Sequence, residues 1–325
     1  HTPSPRMQPT SSRYDALKAR IRGPVFPIPI PFTSDESVDY AAIRTYANFL
    51  VEHGAPVLLM TVGTSRFNLL TRDEMMAANA ALVEAVDGRA MAVAAGPGPF
   101  SGSTRENSAF ARHARSIGAD AILLVYPERW YGDEPVVGFF NDVAASADIG
   151  VMVHAVAMRD GFGGMHARRL MDLALLEKIA AIENVIGVKE ENGERAVYEA
   201  ILAGLNHLLP IIGAGGAMRR FINDAKLGAF TYLVGIGSFR PDLAMTFYRA
   251  VMAGDEARAT AIAAAYEDPY FAKAVSYGWH RALKETLHVL GLMPPYERAP
   301  LDRLKPAECD ALRELVHSIG FQKKA

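Results

Sequence analysis

Eight short apolar runs of β-forming residues recur along this chain, and each is followed by a longer stretch with helical periodicity. That alternation restricts the fold more than any other feature. The runs are "VFPIPI", "APVLLMT", "AMAVAAG", "AILLVYP", "IGVMVHAV", "VIGVKEE", "LPIIGAG" and "TYLVGIG". Between them, amphipathic stretches such as Tyr40 to His53, Arg72 to Val86, Thr104 to Ile117 and Arg168 to Ile182 are long enough for crossover helices. The runs are apolar on both faces, as strands covered by helices require. Eight β-then-α units predict an α/β protein built as a closed (β/α)8 TIM barrel, because an open sheet of eight parallel strands would need a reversal of strand order that the pattern does not demand. The 325 residues fit such a barrel as a single domain.

The expected organisation is an N-terminal arm over 1–23, the barrel over 24–245 and a C-terminal helical appendage over 246–325. "HTPSPR" before Met7 reads as a cloning remnant or a loose arm and is left outside the fold. Pro27, Pro29 and Pro31 lack three N–H donors, so the first strand is expected to be short, with "PIPF" as its exit loop. After the eighth strand, Pro241 to Gly254, Glu256 to Tyr266 or beyond, and Ala307 to Ile319 read as helices, with "GLMPPYERAP" as a proline-rich connection. Such an appendage would cover the barrel or build an oligomer interface.

Half the residues are hydrophobic, 22% are charged and the formal net charge is −2, which gives no electrostatic case for nucleic acid or an anionic membrane as partner. The only cysteine is Cys309, so no internal disulfide can form. No run is long enough to span a membrane and the N-terminus has no apolar signal core, so a cytoplasmic location is the expectation. No histidine spacing calls for a metal, and the "GAGGAM" turn has Met218 where a nucleotide-binding fingerprint needs its last glycine, so no cofactor is expected.

In a (β/α)8 barrel the chemistry lies at the C-terminal ends of the strands. The sixth run ends on Lys189, and simple alternation would put Lys189 on the same face as Gly187 and Val185. An ordinary lysine is neutral in about 4 molecules per 10,000 at pH 7, whereas a pKa lowered by burial to about 7 or 8 makes roughly 10 to 50% nucleophilic. Lys189 is thus a candidate for Schiff-base formation with a carbonyl substrate; the alternative is a lysine that pairs with Glu190, Glu191 or another carboxylate and does nothing more. The second strand exits into "TVGTSRFN", where Gly63 permits a tight turn and Thr64 and Ser65 offer hydroxyl and N–H donors for a carboxylate, unless this is an ordinary turn. His154 interrupts the fifth strand as a candidate acid/base or a hydrogen-bonded core residue, and Arg159, five residues on, suits a carboxylate. Tyr126, Glu128, Arg129, Trp130 and Tyr131 crowd the fourth strand's exit.

Taken together, "PIPFTSDESVDY", the "GTS" turn of Gly63 to Ser65, "LTRDEM", Arg159 and above all "NVIGVKEENG" resemble the dihydrodipicolinate synthase and N-acetylneuraminate lyase family of Schiff-base-forming barrels. The resemblance covers about residues 24 to 245 plus the helical tail. It implies that Lys189 forms an imine with pyruvate or a larger 2-oxo acid, that Gly63, Thr64, Ser65 and Gly235 surround the substrate, and that Arg159 meets a substrate carboxylate. It also implies a homo-oligomer, a dimer or tetramer. The departures are as informative. Arg66 and Phe67 stand where the family turn, G-T-T-G-E, ends; His154 stands at the position of a proton-shuttling tyrosine; and Pro127, Glu128 and Arg129 replace a P-Y-Y pattern. Gly215 and Gly216 lie where sialic-acid-cleaving members carry acidic residues, which argues against sialic acid.

Three functions remain open at this point. The first is a lyase or aldolase joining or cleaving a 2-oxo acid, with His154 moving protons and an aldehyde, even an aromatic one beside Trp130, as second partner. The second is a dehydratase of a 2-keto-3-deoxy acid that uses the same imine. The third is a barrel without turnover, acting as a sensor or assembly subunit, for which the lost tyrosines are the motive.

Overall fold

The computed structural model describes residues 12–98, 102–163 and 168–321. "HTPSPR" lies outside the described residues. Eight parallel strands, Gly23–Pro27, Val57–Leu59, Met91–Ala95, Ala121–Leu124, Gly150–Ala155, Val185–Glu190, Ile211–Gly213 and Thr231–Leu233, close into a barrel in sequence order, the first pairing with both the second and the eighth. Seven fall within the apolar runs read from the sequence, and the first begins two residues before its run, at Gly23. The first strand stops at Pro27, and the Ile28 N–H then donates to Leu59 O at 3.0 Å before the proline-rich exit begins.

Two apolar layers follow from the alternation of side chains along these strands. One fills the barrel with Val25, Val57, Leu59, Met91, Val93, Leu123, Met152, Ile186, Ile212 and Leu233. The other lies between strands and helices and includes Phe26, Leu58, Ile122, Val153, Val185 and Val188. Leu17 and Ile21 join the inner layer, because a helix, Arg13–Arg20, reaches under the barrel from the expected arm. Ser12 starts that helix with a capping box closed by Asp15. Leu17 lies 3.2 Å from the place a Cβ would occupy on Gly150, at the first residue of the fifth strand, so the helix stoppers the N-terminal end.

The crossover helices begin where the sequence supplies caps. "LTRDEM" is one such start: Thr71 and Glu74 form a capping box on the helix Arg72–Val86. The helix expected from Arg168 begins instead at Leu173, capped by Asp172, and Arg168–Arg169 forms an antiparallel ribbon with Met158–Arg159. At the C-terminal side the helix Glu256–Ile262 runs through a π-type turn, Ala263–Glu267, into Asp268–Ala274. Pro269 stands in the first turn of that last segment, where it has no N–H to give to an α-helical ladder, and the wider turn accommodates it.

A further helix, Trp279–Val289, was not expected from the sequence. Lys284, Glu285 and Thr286 are buried along it, so polar residues interrupt the apolar periodicity that would have announced it. This helix places His280 over the barrel mouth, and Pro306–Ile319 packs behind it.

Candidate active site

The sixth strand does not keep strict alternation. Its pairing with the fifth shifts register between Val151 and Met152, so that Val151 faces Val185, Met152 faces Gly187 and His154 faces Lys189. One extra residue is absorbed at this bulge. Ile186 and Gly187 both point inward and Val185 packs in the outer layer, so of Val185 and Gly187 only Gly187 shares the face of Lys189. The expectation that Val185 would share it is therefore corrected. The bulge re-aims the end of the strand and sets Lys189 directly beside His154 at the mouth.

Lys189 Nζ lies 2.6 Å from Glu191 Oε2 and 3.0 Å from His154 Nε2, and His154 Nε2 lies 2.6 Å from the same Glu191 oxygen. Lys189 is 2% and His154 5% exposed, whereas the Glu191 side chain is 49% exposed. Nε2 can donate to Glu191 or accept from Lys189, but not both at once, so the triangle holds alternative positions for one proton. His154 Nδ1 is buried and has no partner among the described residues.

The electrostatics follow from this arrangement. Burial pushes the Lys189 ammonium below its ordinary pKa, against the charge and hydrogen bond of Glu191. Burial, with the Lys189 charge second, pushes the His154 imidazole down to about 4, so it is neutral near pH 7. Burial would raise the Glu191 carboxyl, but the His154 hydrogen bond and the Lys189 charge outweigh it and hold Glu191 well below the usual carboxylate range. The three groups titrate as a unit. A lysine eased toward neutrality beside an ionised carboxylate and a neutral imidazole is equipped both to attack a carbonyl and to exchange protons around the adduct.

Three cavities touch this triangle, one of them, about 800 Å³, on the outer side of Glu191 toward Arg195 and Arg220; the other two hold the residues read from the sequence. The smaller, about 220 Å³, is lined by Thr64, Glu191, Gly216, Gly235, Ser238 and His280, among others. The larger, about 550 Å³, is lined by Gly63, Tyr126, Glu128, Arg129, His154 and Arg159, among others. Thr64 and Gly235 thus share one cavity, and Gly63, His154 and Arg159 the other. Arg159 is exposed on the Met158–Arg159 ribbon and makes no ion pair among the described residues. Gly235 is a close-approach position: a Cβ there would fall 2.7 Å from Gly216 O.

Ser65 belongs to neither group. It is fully buried, its hydroxyl donates to Ile28 O at 2.5 Å and accepts from Thr61 N at 2.9 Å, and its N–H donates to Thr61 O. Those bonds hold the turn and leave no donor for a substrate. Trp130 likewise lines neither cavity: its indole N–H donates to Asp133, its backbone pairs with Arg159 and Gly161, and its ring meets Phe162 edge-on. It fixes the ribbon, so the aromatic-aldehyde expectation loses its structural basis.

Arg66 does not face the pocket floor. It adopts a left-handed backbone, φ 57°, which is why a glycine suits this place in the family turn. Its guanidinium donates to Glu297 at 2.8 and 3.2 Å, to Thr64 O at 2.9 Å and to His280 O at 3.3 Å. Lys284 adds to the same cluster, donating to Ile30 O at 2.7 Å and Tyr296 O at 3.2 Å beside Glu297. The substrate-facing turn is therefore riveted to the C-terminal helices. Sequence reasoning placed Glu191 only as an ion-pair partner and did not reach Ser238 or His280. Neither carried a motif, and His280 comes to the mouth only through the unanticipated helix.

Comparison with known proteins agrees with this geometry. The model of the dihydrodipicolinate synthetase family matches residues 21–319. A probable 5-dehydro-4-deoxyglucarate dehydratase of Ralstonia nicotianae is 30% identical over 298 residues, 90% of this chain and 91% of the relative. A 4-hydroxy-tetrahydrodipicolinate synthase of Methanothermobacter thermautotrophicus is 30% identical over 243 residues, 65% of this chain and 81% of the relative. Among solved structures, the dihydrodipicolinate synthase from Aquifex aeolicus superposes with a TM-score of 0.79 at 22% identity, over 94% of this chain and all of that one, a likeness of fold. Matched from below the first strand to the last helix, this chain belongs to the dihydrodipicolinate synthetase family.

Proposed function

We propose that this protein is a lyase that forms an imine between Lys189 and a 2-oxo acid, and that the acid is larger than pyruvate. The observation that carries the reading is the triangle of Lys189, Glu191 and His154 between two cavities. Lys189 adds to the ketone carbon, and the proton it sheds passes to Glu191 Oε2. A second proton, which Lys189 gave up from its ammonium form before attacking, joins the first on the ketone oxygen, which leaves as water while the imine nitrogen keeps one hydrogen. The protonated imine then accepts the electron pair of a neighbouring bond, which allows a carbon–carbon bond to break or form, or a proton to leave the adjacent carbon. His154 Nε2, neutral and sharing the Glu191 oxygen, moves that proton in place of the tyrosine used elsewhere in the family. The larger cavity takes the remainder of the acid, with Arg159 and Arg129 on its wall to meet a polar or anionic tail.

Dehydration of a 3-deoxy-2-oxo acid is the second reading, in which the same imine loses a proton from C3 and the resulting enamine expels the hydroxyl of C4, the two leaving together as water. It is favoured by the several relatives, similar over about nine-tenths of the chain, that are named 5-dehydro-4-deoxyglucarate dehydratases. A cytoplasmic homo-oligomer, dimer or tetramer, goes with either reading. Incubation with pyruvate plus aldehydes, and separately with 3-deoxy-2-oxo acids, followed by carbon-13 NMR, separates them. New carbon–carbon bonds support the first reading and water loss without chain cleavage supports the second. Inertness of folded protein toward every acid rejects both.

A further inference from the structure

We infer that Ser238 and His280, together with Thr64, form the subsite that receives the substrate's carboxylate; the inference rests on the imine reading of Lys189. Of the groups that sequence put forward for this task, Thr64 lines this cavity and the others are occupied or elsewhere. The Ser65 hydroxyl and N–H are spent on Ile28 and Thr61, and Arg159 stands over the other cavity. Thr64, Ser238 and His280 all line the smaller cavity, about 220 Å³, which has room for the oxo-acid head.

Two of these residues have unspent polar atoms. Ser238 is 1% exposed, and its Oγ is buried without a partner among the described residues, although its backbone is fixed by Tyr46 Oη donating to its carbonyl at 2.6 Å. His280 Nδ1 is likewise buried without a partner, and no described residue hydrogen-bonds either ring nitrogen. Burial and then the Arg66 charge hold the ring below its ordinary pKa, so it presents one N–H donor near neutral pH. Two unsatisfied polar groups on one small cavity are costly unless a ligand completes them. The charge around them has the right sign. Behind His280, Arg66 and Lys284 set two cations against the single carboxylate of Glu297. Glu191 also lines the cavity, but its charge is countered by Lys189 and its hydrogen bond to His154.

The test is borohydride trapping on Lys189, titrated with pyruvate and with methyl pyruvate, which keeps the ketone and loses the charge. Wild type, Ser238→Ala, His280→Phe and His280→Asn are compared. The half-saturating pyruvate concentration should rise about tenfold to a hundredfold in Ser238→Ala and His280→Phe, with partial recovery in His280→Asn. Methyl pyruvate should trap within about twofold of wild type in all of them, because its ester forms no charge-assisted bond. Equal losses for both ligands, or no loss for either, would overturn the subsite while leaving Lys189 in place. Wild type that traps neither ligand would remove the imine reading and this inference with it.

Discussion

Lys189 and Lys284 are both almost wholly buried, each beside a glutamate, and burial lowers the pKa of both, that of Lys284 to about 8. Their surroundings differ in kind. Lys284 gives its protons to two backbone carbonyls and lies 3.5 Å from Glu297, which is itself 2% exposed and gripped by Arg66. Every donor has a fixed acceptor. Lys189 has one carboxylate, half open to solvent, and an imidazole that competes for the same oxygen. Its protons have somewhere to go. A lowered pKa is therefore shared by a rivet and a nucleophile, and the saturation of the three N–H donors tells them apart.

The comparison breaks most visibly by truncation. Lys189→Ala should reduce turnover by at least ~10⁴-fold. Its unfolding midpoint should hold or rise, because a buried cation disappears and Glu191 still reaches water. Steady-state kinetics beside a thermal melt check this, and a collapsed melt would make Lys189 a rivet after all. Next in size, Glu191→Gln and His154→Phe should each cost about 10²- to 10⁴-fold in kcat while Lys189 is still trapped. Since the His154 pKa is depressed to about 4, the imidazole is neutral above that pH and protonates only below it. A profile of kcat/KM should accordingly show no acid limb near the ordinary histidine value, and a limb there would contradict the assignment.

The filled donors of Lys284 place the structural cluster at the opposite pole. Lys284→Ala should leave Lys189 trapping intact and cost about 3 kcal/mol of stability or more, because the carbonyls of Ile30 and Tyr296 lose their donor. Denaturant unfolding beside trapping reads both halves of that prediction. Arg66→Gly is the smallest and sharpest case. Glycine relieves the left-handed φ by about 1 kcal/mol but forfeits the buried pair with Glu297, for a net loss of about 1 to 3 kcal/mol. A gain in stability would show that the Arg66 cluster contributes nothing to the riveting.

The barrel was legible because its signal is repeated eight times and each repeat is local. Lys189 and His154 were legible because a polar residue at the end of an apolar strand has few structural excuses. Their contact was less so. It depends on the bulge at Ile186 and Gly187, which strict alternation hides, and Val185 was placed on the wrong face for that reason. Thr64 and Ser65 look equivalent in sequence, yet one lines a cavity and the other is consumed by Ile28 and Thr61. Arg66 read as a change to the pocket floor, whereas its partner Glu297 lies 231 residues away. Such partners are fixed by how the C-terminal helices dock, and no local pattern records that.

The most direct test of the account is to reduce the native protein with borohydride in the presence of pyruvate and of longer 2-oxo acids, and to map the modified peptide. The account predicts a single ligand-dependent adduct on Lys189, stronger with a longer acid than with pyruvate, and none on Lys284. An adduct on Lys284, or none anywhere in protein that remains folded, would contradict it.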